Sequence, residues 1–350
     1  MVDFKKNAKI FADMAKKGGQ KAAQVAADVG NKGKNAVSAT KDVAVKTKGK
    51  VINAIDQDGD GKIDSADIII MALKVPGVKI DRDEFLKKEL FKYCPETVID
   101  DAIRTTPARA GIDDEIITKI SEEVIKFERN AVSGISAALG MPGGVAMAAT
   151  IPADIAQYYG YMLRAAQKLL YLYGFPQIDT SENKLYLDSE TVNSLTLCLG
   201  VMYGVASANN AVKAVAKALS VGVEKKLLSA ALTKGTVYPI VKEVAKWFGK
   251  KMTKEVFAGF FKKAIPVVGG IVGGGITFAT FAPCCNRLKD VLKDTILSNP
   301  DHWETEEEKQ LYEKIKNGVV DFDPDEIIVD TEDDEASEIE EETTIDDESE

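Results

Sequence analysis

The spacing of its apolar residues restricts the fold of this chain more than any other feature. In "DDEIITKISEEVIKFERNAVSGISAALG", Ile116, Ile117, Ile120, Val124, Ile125 and Phe127 recur at the three-to-four-residue interval of a helix. The stretch from Ala153 to Tyr173 predicts another helix, with Tyr158, Tyr161, Tyr171 and Tyr173 set among Leu and Met. "KGTVYPIVKEVAKWFGKKMTKEVFAGFFKKAIP" reads as an amphipathic helical pair carrying Trp247, Phe248, Phe257, Phe260 and Phe261. "PETVIDDAIRTTPARAGI" predicts a short helix and a turn broken at Pro107. The expected fold class is all-α. Hydrophobic residues make up 45% of the 350, enough for a sizeable core, and the length suggests two or three domains.

Charge divides the chain further. The formal net charge of -10 is the sum of unequal parts. From Met1 to Ile55 twelve lysines stand against four aspartates, whereas 321–350 holds seventeen acids and no Lys or Arg. The head is thus +8, the tail −17 and the body between them near neutral. Residues 1–50 form a Lys/Ala-rich, weakly amphipathic arm interrupted by "KKGG" and "GNKGKN". Its structural reading is a solvated, partly disordered arm, because few large side chains are available to bury. Its functional reading is an arm that folds on an anionic membrane surface, each lysine adding about 1 kcal/mol. With Val and Ala on its apolar face, such binding would weaken with salt. A membrane protein is the other partner considered; nucleic acid is not expected. The acidic tail, 319–350, is expected to be disordered, and it could fold back on the arm.

The start, "MVDFKKNAKIFADMAKKGG", does not read as a secretory signal, since lysines interrupt every apolar run. Cys94, Cys198, Cys284 and Cys285 lack the spacing of a metal site, and free thiols fit a reducing compartment. The expected location is cytoplasmic, with membrane association through the arm.

"DQDGDGKIDSAD", Asp56 to Asp67, carries the most specific chemistry. Acids stand at loop positions one, three, five, nine and twelve, with Gly61 at six for the sharp turn and Ile63 at eight as an apolar anchor. Calcium requires six to eight oxygens. The candidate ligands are Asp56, Asp58, Asp60, Lys62 through its backbone carbonyl, Asp64 directly or through water, and Asp67. Position twelve is Asp rather than Glu, which shortens its reach and makes magnesium a competitor. The loop resembles EF-hand and dockerin-type loops. One clear loop without an export signal argues against dockerin-like cohesin binding. Next, "GVKIDRDEFLKKELF" repeats the second half of the pattern, with Ile80, Asp81 and Glu84 matching Ile63, Asp64 and Asp67. "ALKVPG" supplies no carboxylates, so 51–94 is expected as an EF-hand-like module with one intact and one degenerate loop, bridged by Ile63 and Ile80. Asp81 followed three residues later by Glu84 also fits the N-terminus of a helix.

Residues 95–318 are expected as a multi-helix, glycine-rich domain. "GMPGGVAMAATIPADIAQYYGYMLRAAQKLLYLYG" and "AIPVVGGIVGGGITFATFAPCCNRLKD" resemble the EcsC family of bacterial proteins, over roughly Ala108 to Leu297. The resemblance implies a helical fold and a bacterial setting. It implies no reaction, because the family has no settled biochemical activity, and neither the calcium loop nor the acidic tail belongs to it. Gly200, Gly204, Ala206 and Ala208 are small residues that let helices approach closely. Gly269, Gly270, Gly273 and Gly274 lie in 23 uncharged residues between Lys263 and Arg287. Residues 264–283 are read either as a buried hairpin or as a membrane-inserted segment; Pro266 and five glycines disfavour a lone spanning helix.

No nucleophilic triad or phosphate loop is present in the sequence. Asp154 is the best candidate for a hydrolase carboxylate; the structural alternative is an acid at a helix N-terminus. His302, the sole histidine, reads as structural. The functional expectation is therefore a calcium-binding interaction or scaffold protein, more an adaptor than an enzyme.

Overall fold

The computed structural model describes residues 55–57, 64–139, 151–178, 189–248 and 269–319. Helices α1 (Ser65–Leu73), α2 (Arg82–Leu90), α3 (Glu96–Arg104) and α4 (Asp114–Leu139) come first. α5 (Ile151–Leu172), α6 (Ser189–Tyr203), α7 (Ala206–Ser220) and α8 (Lys225–Thr233) follow. α9 is helical over 238–248, and α10 (Gly269–Lys293) and α11 (Glu306–Lys316) complete the order. No strand occurs among the described residues, so the fold is all-α. The Lys-rich arm and the acidic tail beyond residue 319 lie outside the described residues.

α5 occupies the middle. It packs against α1, α2, α4, α6 and α10. That position follows from its sequence: Met162, Leu163, Ala165, Ala166, Leu169 and Leu170 leave no broad polar face, and a helix apolar nearly all round must be surrounded. α4 lies along α10, α7 packs between α6 and α11, and α8 touches α6 and α11. Ile55, Ile68 and Ile69 belong to the same hydrophobic cluster as Met162 and Leu195. The described part of 51–94 is thus packed into the helical body and shares its core.

From Gly269 onward, the segment expected as a hairpin is one continuous helix to Lys293, with Pro283 inside it. Proline lacks an N–H, so the Ala279 carbonyl has no donor four residues on. The helix persists because Phe281, Cys284, Cys285, Leu288 and Leu292 bury its inward face. Among the described residues, no helix is long and apolar enough to cross a membrane. Residues 264–268 lie outside them.

The small residues of α6 divide into two roles. A Cβ at Gly200 would meet Val244 Cγ2 at 2.7 Å and Ala208 Cβ at 2.9 Å, so this glycine admits α7 and α9. Gly204 has φ of +82° and meets only Arg287 Nε, at 4.0 Å, so it makes the α6–α7 turn rather than a close helix contact. An aromatic cluster closes the same region. Tyr159 and Tyr203 share a hydroxyl contact of 2.9 Å, and both rings pack edge-on to Phe248, at 5.4 and 5.5 Å. Burial raises the Tyr203 phenol well above its ordinary pKa, so its hydroxyl stays protonated.

Candidate metal centre and the polar framework behind it

Three of the six expected metal ligands, Asp56, Asp64 and Asp67, are described; Asp58, Asp60 and Lys62 lie outside the described residues. Asp64 is the N-cap of α1, and its Oδ1 accepts from the Ala66 and Asp67 amides at 2.7 and 3.3 Å. Asp67 is buried, and its Oδ2 accepts the Asp64 N–H at 3.0 Å, completing a capping box. Its Oδ1 accepts the Gln57 N–H at 2.6 Å. One carboxylate therefore joins loop positions two, nine and twelve, so the two ends of the loop meet. Calcium takes oxygen ligands of this kind, but among the described residues, Asp56, Asp64 and Asp67 included, no three acidic side chains converge as an ion site.

Behind the loop, α1 is fixed to the body. Ser65 Oγ lies 3.2 Å from Thr196 Oγ1 of α6, a buried contact, and Ile68 and Ile69 are fully enclosed.

Ile80, expected to bridge to Ile63, has its backbone groups held by side chains. Its N–H donates to Gln167 Oε1 at 3.2 Å, and its carbonyl accepts from Tyr171 and Gln177 at 3.3 and 3.2 Å. Ile63 is outside the described residues. The physical reason lies in α5, whose polar groups face the segment 77–80. Arg164 donates to the Gly77 carbonyl, and Gln167 donates to the Val78 carbonyl at 3.0 Å. The segment 77–80, where the degenerate loop is expected, is held by side chains of α5. Asp81 does cap α2, its Oδ1 accepting the Glu84 N–H at 2.8 Å.

Sequence reasoning missed two buried charges. Glu128, with no exposed surface, receives Arg164 Nε at 3.1 Å and Lys168 Nζ at 2.6 Å. Burial pulls the Lys168 ammonium below its ordinary pKa, with Glu128 opposing the shift. A signal was available: two cations one turn apart on an otherwise apolar helix require an anion on the helix facing them. The second is Arg82, which donates to the carbonyls of Phe175, Ile103 and Ala102 at 3.2, 2.8 and 3.3 Å. It places a cation on the last turn of α3, where the helix dipole favours one.

Asp154 falls in the first turn of α5, and its side chain is outside the described residues. Gln157, one turn on, is buried without a hydrogen-bond partner among the described residues. His302 sits between carboxylates, its Nδ1 3.0 Å from Asp294 and its Nε2 2.9 Å from Glu308. That arrangement ties the turn after α10 to α11. Comparison of the chain with family models, with curated proteins and with solved structures finds no match.

Proposed function

We propose that this protein is a calcium-binding helical interaction protein, cytoplasmic and peripheral to anionic membrane. Asp56, Asp58, Asp60 and Asp67 would hold the ion with the Lys62 carbonyl, and Asp64 would complete the shell directly or through water. Magnesium is the competing ion. The observation that supports the reading is the Asp67 carboxylate, which draws Gln57 and Asp64 together at the start of a helix packed into the core. Ordering the loop then bears on the position of α1 rather than on a loose appendage. The EcsC resemblance adds a bacterial setting and a helical scaffold without assigning a reaction. A hydrolase reading rests on Asp154 alone.

Titration calorimetry with calcium chloride tests the metal. One saturable site is expected, and it disappears in a variant carrying Asp56→Ala and Asp60→Ala. Absence of heat in the natural chain, or equal heat in the variant, overturns the proposal. Flotation with anionic vesicles tests the membrane part. The +8 arm and the −17 tail oppose each other across a near-neutral body. Removing 321–350 is expected to raise vesicle binding at low salt, and the gain should vanish at high salt. Equal binding by both chains at every salt concentration rejects the coupling of the two ends.

A further inference from the structure

α6, α7, α8 and the end of α5 enclose a cavity of about 500 Å³. Ligand sites span roughly 300–1,000 Å³, whereas packed cores hold few voids larger than a water molecule. Leu170, Leu197, Cys198, Val212, Leu228 and Leu232 form its walls. Exposed Pro176 and Lys225 also line it, so it opens at the surface. Water gains little from such walls, since it needs two to four polar partners.

The polar lining is small and mixed. Glu190 and Ser194 lie one turn apart on one face of α6, and Lys225 is the first residue of α8. None of these three side chains forms a hydrogen bond or ion pair among the described residues. The cavity therefore presents a carboxylate, a hydroxyl and an ammonium to whatever enters it.

The walls are aliphatic apart from Phe175, which favours a flexible hydrocarbon chain over a stacked ring system. A single lysine is a poor receptor for a polyphosphate. A fatty acid's carboxylate would pair with Lys225 but lie near Glu190, and an alkyl amine's cation would pair with Glu190 but lie near Lys225, so each gains one charge and meets a like one. A hydroxyl-bearing neutral head satisfies all three groups, donating to Glu190 and accepting from Lys225. The lining does not suit catalysis: burial pushes the Cys198 thiol up to about 12, so it remains a protonated wall group.

We infer that this cavity binds a single-chain neutral lipid of the monoacylglycerol class, with the chain among Leu197, Val212 and Leu228 and the glycerol head at Glu190, Ser194 and Lys225. Titration calorimetry of the full chain with monodecanoylglycerol, kept below its aggregation concentration, is the test. One saturable site is expected. Leu197→Trp fills the cavity and should weaken binding about tenfold or more. Ser194→Ala should weaken it about 2- to 10-fold, the value of one hydrogen bond. Decanoate and decylamine should bind more weakly, each meeting a like charge. If Leu197→Trp does not fold, Val215→Phe, at a half-buried wall position, takes its place. Absence of saturable binding, or unchanged affinity in a folded cavity-filling variant, overturns the site. Decanoate binding as tightly as the monoglyceride overturns the head-group assignment.

Discussion

At Glu128 a fully buried carboxylate meets two cations carried one turn apart on α5. The pairing offsets the desolvation of three charges, and its net contribution to stability is small compared with the cost of breaking it. Glu128→Gln keeps the shape but leaves Arg164 and Lys168 without their anion. It should cost about 3–5 kcal/mol in urea denaturation followed by circular dichroism. A loss under about 1 kcal/mol would show that water reaches the cations. Replacing all three, with Glu128→Leu, Arg164→Met and Lys168→Met, should cost less than the single change, because no charge is then buried unpaired.

Helix against helix, the fit depends on individual small side chains. Gly200→Ala drives a methyl into Val244 and Ala208, and overpacking of this kind costs about 1–3 kcal/mol. Thermal melting checks it; a higher melting temperature would mean that α7 and α9 shift freely. α11 buries Ile315 in the core, and ions tie Glu308 and the residues flanking the helix to α7. Lys213 Nζ is 2.7 Å from Asp294 and 3.3 Å from Glu308, and Lys217 Nζ is 2.6 Å from Glu304. Burial alone would raise the Asp294 pKa, but Lys213 and His302 outweigh it and hold the carboxyl below its ordinary value. A carboxylate lowered by folding stabilises above its unfolded pKa, and that stability is lost as pH falls through the folded value. Hydrogen exchange in α11 should therefore accelerate on acidification below the ordinary aspartate range. An unchanged α11 protection pattern there would contradict the ionic attachment. The helices themselves were legible in the sequence: Ile116 to Phe127 and the 153–173 stretch repeat at the right interval, and Asp81 stands where a cap belongs. Tertiary choices were not. Nothing in local spacing tells Gly204 from Gly200, because one answers to a backbone angle and the other to residue 244. The loop acids form a local pattern too, but Asp58, Asp60 and Lys62 lie outside the described residues. The strap from α5 onto 77–80 was not legible, since Arg164 and Gln167 lie some ninety residues beyond the segment they hold.

In the molecule as a whole, Ile55 and α1, at the two ends of the loop, share one core with the helical body, and this fixes how calcium bound at the proposed site should act on stability. An ion bound only by the folded chain stabilises all of it, by about 2.7 kcal/mol at a hundred times its dissociation constant. Calorimetric scans should show the transition of the whole body moving upward with calcium, and Asp56→Ala should remove the shift. A separate low-temperature transition that alone responds to calcium would mean that the loop and α1 melt independently. The central place of α5 has a different consequence, for biosynthesis. α5 is complete at Leu172, yet α10, one of the helices that covers it, ends at Lys293. Until that far segment leaves the ribosome, part of an apolar helix has no covering partner, and contacts so distant in sequence form slowly. Nascent chains stalled between α5 and α10 are therefore natural clients for chaperones, and truncations in that interval should yield aggregates rather than smaller folded domains.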